Sequence, residues 1–114
     1  MACAAVDLAH LARYTGGDVA LNAEILRLFD GQATEMVERL QLILDARDAR
    51  SWREVTHTLK GAARGIGAFA LGDAAAAAEP IDPASDCRTA GVALQAVQTS
   101  THAVQCFIKA YLGA

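Results

Sequence analysis

Residues 55–67 read VTHTLKGAARGIG, and this stretch says most about how the chain folds. Its apolar side chains recur every three or four positions, as they do on one face of an amphipathic α-helix. Gly65 and Gly67 come at its end, where glycines predict that the helix stops and the chain turns. Gly61 lies inside the helix, where glycine costs about 1 kcal/mol relative to alanine. The stretch therefore predicts a helix, and the presence of a costly glycine inside it at Gly61 requires an explanation.

The same helical character continues on both sides. Alanine and leucine dominate, and the two prolines are Pro80 and Pro83. Gly16, Gly17 and Asp18 predict a break and an N-cap before a long helix. The predicted helices are a short one near residues 7–13, one from Leu21 to Ala46, one from an Asp48 or Ser51 cap to about Gly65, one over Ala68–Glu79, and one with Asp82 as N-cap and Pro83 as first residue. This pattern predicts an all-α fold, an antiparallel four-helix bundle in up-down-up-down order with a short N-terminal cap helix.

Length and composition narrow the class of protein. The 114 residues suffice for one domain, here residues 1–114, and the net charge is -3. Nucleic acids and anionic membranes favour a basic excess, so we expect neither as a partner. Residues 89–108 contain no charged side chain, but they are too rich in Thr, Gln and Ser for a membrane span. Asp7 interrupts the apolar run at the N-terminus, which is therefore a poor signal peptide. We expect a cytoplasmic protein.

The cysteines and the outlying histidines suggest no metal chemistry. Cys3, Cys87 and Cys106 are odd in number and form no C-x-x-C pair, which argues against a disulfide framework or a zinc ribbon. We interpret them as small packing residues in a reducing compartment. His10 and His102 are expected to lack companions at metal-ligand spacing. We therefore expect no metal site and no cofactor of the protein's own.

The histidine of the quoted stretch is placed differently from the core residues. At about 100° per residue, His57 lies about 160° from Leu59, so it should face solvent. Lys60, Gly61 and Arg64 share its side of the helix. The missing side chain of Gly61 would clear space for a partner or a phosphoryl group. An exposed imidazole is a nucleophile that can hold a phosphoryl group as a phosphoramidate.

A basic strip extends along this side of the helix. Arg50 and Arg53 continue it towards the N-terminus, and Glu54 lies at the spacing that pairs with Arg50. The strip could guide a negatively charged partner, or it could be only a solvated face.

These residues resemble the signature of the histidine-containing phosphotransfer (HPt) domains of multistep phosphorelays. The signature is a histidine followed by Lys at +3, Gly at +4 and Gly at +10, here His57, Lys60, Gly61 and Gly67. Further matches are Gly16-Gly17-Asp18, Leu28-Phe29, the region of Trp52, and the acidic residue at +22, Glu79. The resemblance covers roughly residues 14–112.

The resemblance implies a role for each matching residue. It implies that His57 is phosphorylated on Nε2, that Lys60 compensates the charge of the phosphoryl group, and that Gly61 gives access. It also implies that Glu79 can hydrogen-bond the other ring nitrogen. Arg53, Arg64 and Gly67 are candidates for partner contacts. Small residues are usual at +7 and +8, where this chain has Arg64 and Gly65. Arg64 could strengthen binding to an acidic receiver surface or crowd it.

The resemblance also implies the partners. The protein would take a phosphoryl group from the receiver domain of a hybrid histidine kinase and pass it to a response regulator, with Mg²⁺ on the receiver. We expect a monomer, and a docking surface beside His57 on the outer faces of the first long helix and the histidine helix. The chain has no phosphate-binding G-x-x-x-x-G-K-[ST] loop, so we expect no kinase activity with ATP.

Two other functions fit parts of the sequence. A four-helix scaffold could bind receiver domains without carrying phosphate. A histidine-kinase dimerisation segment would also carry a phosphorylated histidine, but there an acidic residue follows directly and a proline soon after. Thr58, Leu59 and Lys60 follow His57 in this chain, which disfavours the second alternative.

Overall fold

The computed structural model describes residues 4–113, and within them the chain forms α-helices and no β-strand. The helices are α1 (Leu8–Thr15), α2 (Val19–Ala46), α3 (Ala49–Gly65), α4 (Phe69–Ala78) and α5 (Cys87–Tyr111). The all-α prediction is confirmed. None of the helices in this described part is long and apolar enough to span a membrane.

Helices α2 to α5 pack around a common core. Helix α2 contacts α3 and α5, and α4 contacts the same two helices from the other side. Tyr111 at the end of α5 meets Asn22 at the start of α2, whereas Gly91 near the start of α5 lies against Leu44 near the end of α2. These two helices therefore run antiparallel. Helix α1 packs on α2, as the predicted cap helix.

Aspartates begin four of the helices. Each accepts a hydrogen bond from the backbone N–H three residues on, which satisfies a donor that the first helical turn leaves unpaired. The four caps are Asp7, Asp18, Asp48 and Asp86. Asp18 was predicted as a cap, and the structure selects Asp48 over Ser51.

The predicted start of the last helix is wrong. The Oδ1 atom of Asp82 accepts a hydrogen bond from the Ala84 N–H at 2.8 Å, and the Asp82 carbonyl accepts one from the Asp86 N–H at 2.9 Å. These bonds close a separate turn in which Pro83 is buried. Asp86 is the N-cap, and α5 begins at Cys87. Asp-Pro is a signal for the start of a helix, but it is also common in turns, and here Asp82 and Pro83 form a turn before α5.

Small residues bring α4 close to its neighbours. Ala75 and Ala78 are fully buried, and Trp52 of α3 is fully buried against this helix. The indole Nε1 of Trp52 donates a hydrogen bond to the carbonyl of Ala78 at 2.9 Å. The N-terminal part of α3 is thereby fixed to the C-terminal end of α4, directly before Glu79.

The turn between α3 and α4 explains Gly67. Its φ is +85°, a conformation that side chains disfavour, and a Cβ atom there would lie 2.6 Å from the carbonyl oxygen of Asp7. The Asp7 N–H also donates to the Gly67 carbonyl at 2.9 Å. Gly67 is buried, so the predicted partner contact at this residue is not supported. The glycine is needed because the N-terminal segment passes over it.

The prediction that the cysteines are packing residues is also wrong for two of them. Cys87 and Cys106 are exposed, one at the first position of α5 and the other on its outer face. Neither position faces the core, because the inward residues of α5 are its buried apolar side chains, such as Val104 and Ile108. Cys3 lies outside the described residues.

Candidate functional site

His57 lies on the outer side of α3. Val55 and Leu59 on either side of it are buried, whereas 67% of the His57 side chain is exposed. The expected solvent-facing position of His57 is confirmed. A partner can reach the imidazole without any rearrangement of the core.

A single carboxylate contacts both functional groups predicted on α3. The Oε2 atom of Glu79 lies 3.2 Å from Nδ1 of His57, and its Oε1 atom accepts a hydrogen bond from Nζ of Lys60 at 2.7 Å. Glu79 is the residue that follows the last turn of α4, and only 23% of its side chain is exposed. The sequence indicated the contact with His57 but not the one with Lys60.

The environment of Glu79 favours its ionised form. The hydrogen bond from Lys60 is the largest influence and lowers the pKa of Glu79 below its usual value. Partial desolvation acts in the opposite direction, and the charge of Lys60 and the contact with His57 lower the pKa further. Glu79 is therefore a carboxylate at neutral pH, and its oxygens can only accept hydrogen bonds.

The ionised Glu79 selects the tautomer of His57. A carboxylate oxygen 3.2 Å from Nδ1 requires a donor, so in the neutral imidazole the proton lies on Nδ1. The other nitrogen, Nε2, then carries the lone pair. Because Nδ1 contacts Glu79, Nε2 is the ring nitrogen that is available as a nucleophile.

The position of Glu79 depends on the buried Trp52. The indole holds the Ala78 carbonyl, which also accepts from the Ile81 N–H at 3.1 Å. Thr56 Oγ1 in turn donates to the Trp52 carbonyl at 2.8 Å. The end of α4 is thus fixed next to the residue that contacts His57. The sequence marked the Trp52 region only as a match to a pattern, because a bond between residues 26 positions apart leaves no local signal.

Gly61 has open space around it. The residue is exposed, and a Cβ atom built on it would meet nothing within 4 Å. No contact within residues 4–113 therefore requires a glycine here. The suggestion that Gly61 keeps the approach to His57 open stays a prediction.

The basic strip is partly paired. Arg50 Nε donates to Glu54 Oε1 at 3.2 Å, as the spacing predicted. Arg53 is exposed, and Arg64 is about half exposed with its guanidinium 3.7 Å from Asp73. Both arginines are therefore accessible, unlike Gly67.

No group of three or more potential metal ligands occurs among residues 4–113. One pair was missed in the sequence. His102 does have a companion at i+4, because its Nε2 atom lies 3.5 Å from Sγ of Cys106 on the exposed face of α5. Two groups are fewer than the ligand sets of protein zinc sites.

The chain belongs to the Hpt domain family, whose model matches residues 24–105. This span includes more than half of the chain and contains His57, Lys60, Gly61 and Glu79. The family relationship assigns the chain to phosphotransfer in two-component and phosphorelay signalling, where Hpt domains interact with receiver domains. No curated protein and no solved structure matches the chain at a significant level.

Proposed function

We propose that this protein relays a phosphoryl group between two receiver domains through Nε2 of His57. The donor is the aspartyl phosphate of a receiver on a hybrid histidine kinase, and the acceptor is the aspartate of a response regulator. The observation that carries the proposal is the contact of Glu79 with Nδ1, which leaves Nε2 as the nucleophile of an exposed imidazole.

The transfer would proceed by direct displacement. The Nε2 lone pair attacks phosphorus, the bond from phosphorus to the aspartyl oxygen breaks, and the donor carboxylate leaves with the electron pair. The imidazole becomes a phosphoramidate that retains its Nδ1 proton. Glu79 stabilises the positive charge that develops on the ring, and the reverse sequence delivers the group to the next aspartate.

Lys60 would compensate the charge of the phosphoryl oxygens. Its ammonium has three donors and spends one on Glu79 Oε1 at 2.7 Å. The remaining donors can bind phosphoryl oxygens while Glu79 keeps the ammonium in place. Phosphoryl transfer depends mainly on positioning and charge compensation, so one cation and one oriented imidazole are a sufficient contribution from this side.

The partner would supply the metal ion. Mg²⁺ prefers carboxylate and phosphate oxygens, and a receiver that carries an aspartyl phosphate offers both. We therefore assign Mg²⁺ to the receiver domain and none to this protein.

The test is transfer of label from a phosphorylated receiver. Wild type and the variants His57→Gln and His102→Gln are each mixed with a receiver domain labelled by its kinase, and acid-labile label is followed. His102 is a matched control because it is an exposed helical histidine on α5. We expect label on wild type and on His102→Gln, and none on His57→Gln.

Two results would contradict the proposal. Label on His57→Gln would place the phosphoryl group elsewhere. Stable binding of receivers with no label on any variant would favour the scaffold function.

A further inference from the structure

The stem of Arg64 lies against α4, while the side chain as a whole is about half exposed. A Cβ atom built on Gly72 would lie 2.8 Å from Cγ of Arg64 and 3.4 Å from its Nε. The aliphatic stem of Arg64 therefore occupies the space that a side chain at position 72 would need. Gly72 is buried beneath it.

This contact gives a reason for glycine in α4. Gly72 has no positive φ, so its backbone is open to any residue, and glycine destabilises a helix interior relative to alanine. Gly72 leaves space in which the stem of Arg64 packs, and this packing offsets the cost of glycine in the helix. The stem of Arg64 thus fits into a groove over Gly72, which we call the stem-and-groove arrangement.

The head of Arg64 is held only loosely. Its Nη2 atom lies 3.7 Å from Oδ1 of Asp73, beyond hydrogen-bond distance, and the two side chains are 48% and 78% exposed. An exposed ion pair of this kind contributes little to stability, so either side chain can readily exchange its partner. Arg64 can therefore leave Asp73 for a better carboxylate or phosphate partner.

The position of Arg64 relative to His57 suits a docked receiver. Arg64 is the seventh residue after His57, which is two turns and roughly 10 Å along the same side of α3. A protein interface of about 800 Å² on one partner extends roughly 16 Å from its centre. A receiver centred on His57 would thus cover Arg64.

We propose that Arg64 determines receiver specificity by exchanging Asp73 for an acidic side chain of the receiver. That acidic side chain would lie roughly 10 Å from the phosphorylated aspartate. Asp73 acts as an internal competitor that occupies the guanidinium until a receiver docks. The inference rests on the proposed function, since it needs a receiver to bind over His57. Arg64 is a specificity residue and takes no part in the chemistry.

The test is a double-mutant cycle on receiver binding. The dissociation constant of a receiver loaded with beryllofluoride, a mimic of the phosphoryl group, is measured for wild type, Arg64→Ala, Asp73→Asn and the double variant at two salt concentrations. Lys109→Ala, which removes an exposed cation from the last turn of α5, controls for net charge. We expect Arg64→Ala to weaken binding about 3- to 10-fold and Asp73→Asn to tighten it about 2-fold.

The coupling between the two residues decides the outcome. In the Arg64→Ala background, Asp73→Asn should change the dissociation constant no further, and the salt dependence should fall. Equal effects of Asp73→Asn in both backgrounds, or an Arg64→Ala effect no larger than that of Lys109→Ala, would overturn the proposal. Binding that follows this cycle without labelling of His57 would reject the relay but keep the role of Arg64.

A stability cycle tests the groove without any receiver. Gly72→Ala should raise the melting temperature in the Arg64→Ala background, because alanine favours the helix. In wild type the same change should lower it or leave it unchanged, because the new Cβ displaces the Arg64 stem. An equal rise in both backgrounds would show that Gly72 is not shaped for Arg64 and would overturn the stem-and-groove arrangement.

Discussion

At the scale of single residues, Glu79 connects the chemistry of the imidazole to the charge of the lysine. Its two oxygens bind different partners, His57 Nδ1 and Lys60 Nζ, so one ionised group fixes the tautomer and positions the cation. Removal of this charge would affect both. The same contacts lower the pKa of Glu79, which makes its ionisation measurable through stability.

We predict that Glu79→Gln removes a pH-dependent part of the stability. A lowered pKa means that the folded chain favours the carboxylate, so this stabilisation is present above the ordinary value of 4.5 and is lost as the pH falls through the lowered pKa. Urea unfolding between pH 3 and 7 should show wild type as the more stable protein at neutral pH, with the difference narrowing below about pH 4.5.

The variant Glu54→Gln is the matched control for this measurement. It removes a carboxylate from α3 three residues before His57, but its partner Arg50 is 90% exposed and the pair is screened by solvent. A difference between wild type and Glu79→Gln that stays constant across the acidic range would contradict the assignment of the charge to Glu79.

At the scale of elements, α3 keeps a glycine that its own folding does not need. Gly61 has open space around it, and alanine is favoured over glycine in a helix interior. We predict that Gly61→Ala raises the free energy of unfolding by about 0.5–1 kcal/mol. The added methyl group should also slow transfer to His57, because it stands one turn from the imidazole.

Urea unfolding and the initial rate of labelling measure these two effects on the same preparations. Gly91→Ala is the matched control, since it too is a helical glycine with room for a Cβ atom, whose nearest neighbour would be Leu44 Cδ2 at 4.0 Å, but it lies on α5, outside the expected docking surface. We expect it to be stabilised as well, with an unchanged labelling rate. A Gly61→Ala protein that is labelled as fast as wild type would remove the access argument.

The sequence predicted the elements better than the contacts between them. Helical periodicity and the Asp18 cap are local signals, and the helices at these places are found. The start of α5 was predicted at Asp82 because Asp-Pro is a genuine helix-start signal, and a turn uses it here. The Lys60 to Glu79 bond depends on how α3 and α4 pack, which no local pattern encodes.

At the scale of the whole molecule, the N-terminal segment is tied to the bundle at both ends of α1. Its end is held by Thr15 Oγ1, which donates to Asn22 Oδ1 at 2.6 Å, while Asn22 Nδ2 donates to the Tyr111 hydroxyl at 3.4 Å. Its start is held by Asp7, whose N–H donates to the Gly67 carbonyl in the turn between α3 and α4. One glycine therefore joins the segment to the end of the histidine helix.

We predict that Gly67→Ala destabilises the protein by about 2–4 kcal/mol without disabling His57. The positive φ alone costs a side chain about 1–2 kcal/mol, and the new Cβ would overlap the backbone of Asp7, which cannot move as a flexible side chain would. Urea unfolding measures the loss. His57 and Glu79 are fixed to each other through Trp52 at the other end of α4, so labelling of the folded fraction should continue. A folded Gly67→Ala protein that takes no label would show that the turn acts on the site directly, as a partner contact would.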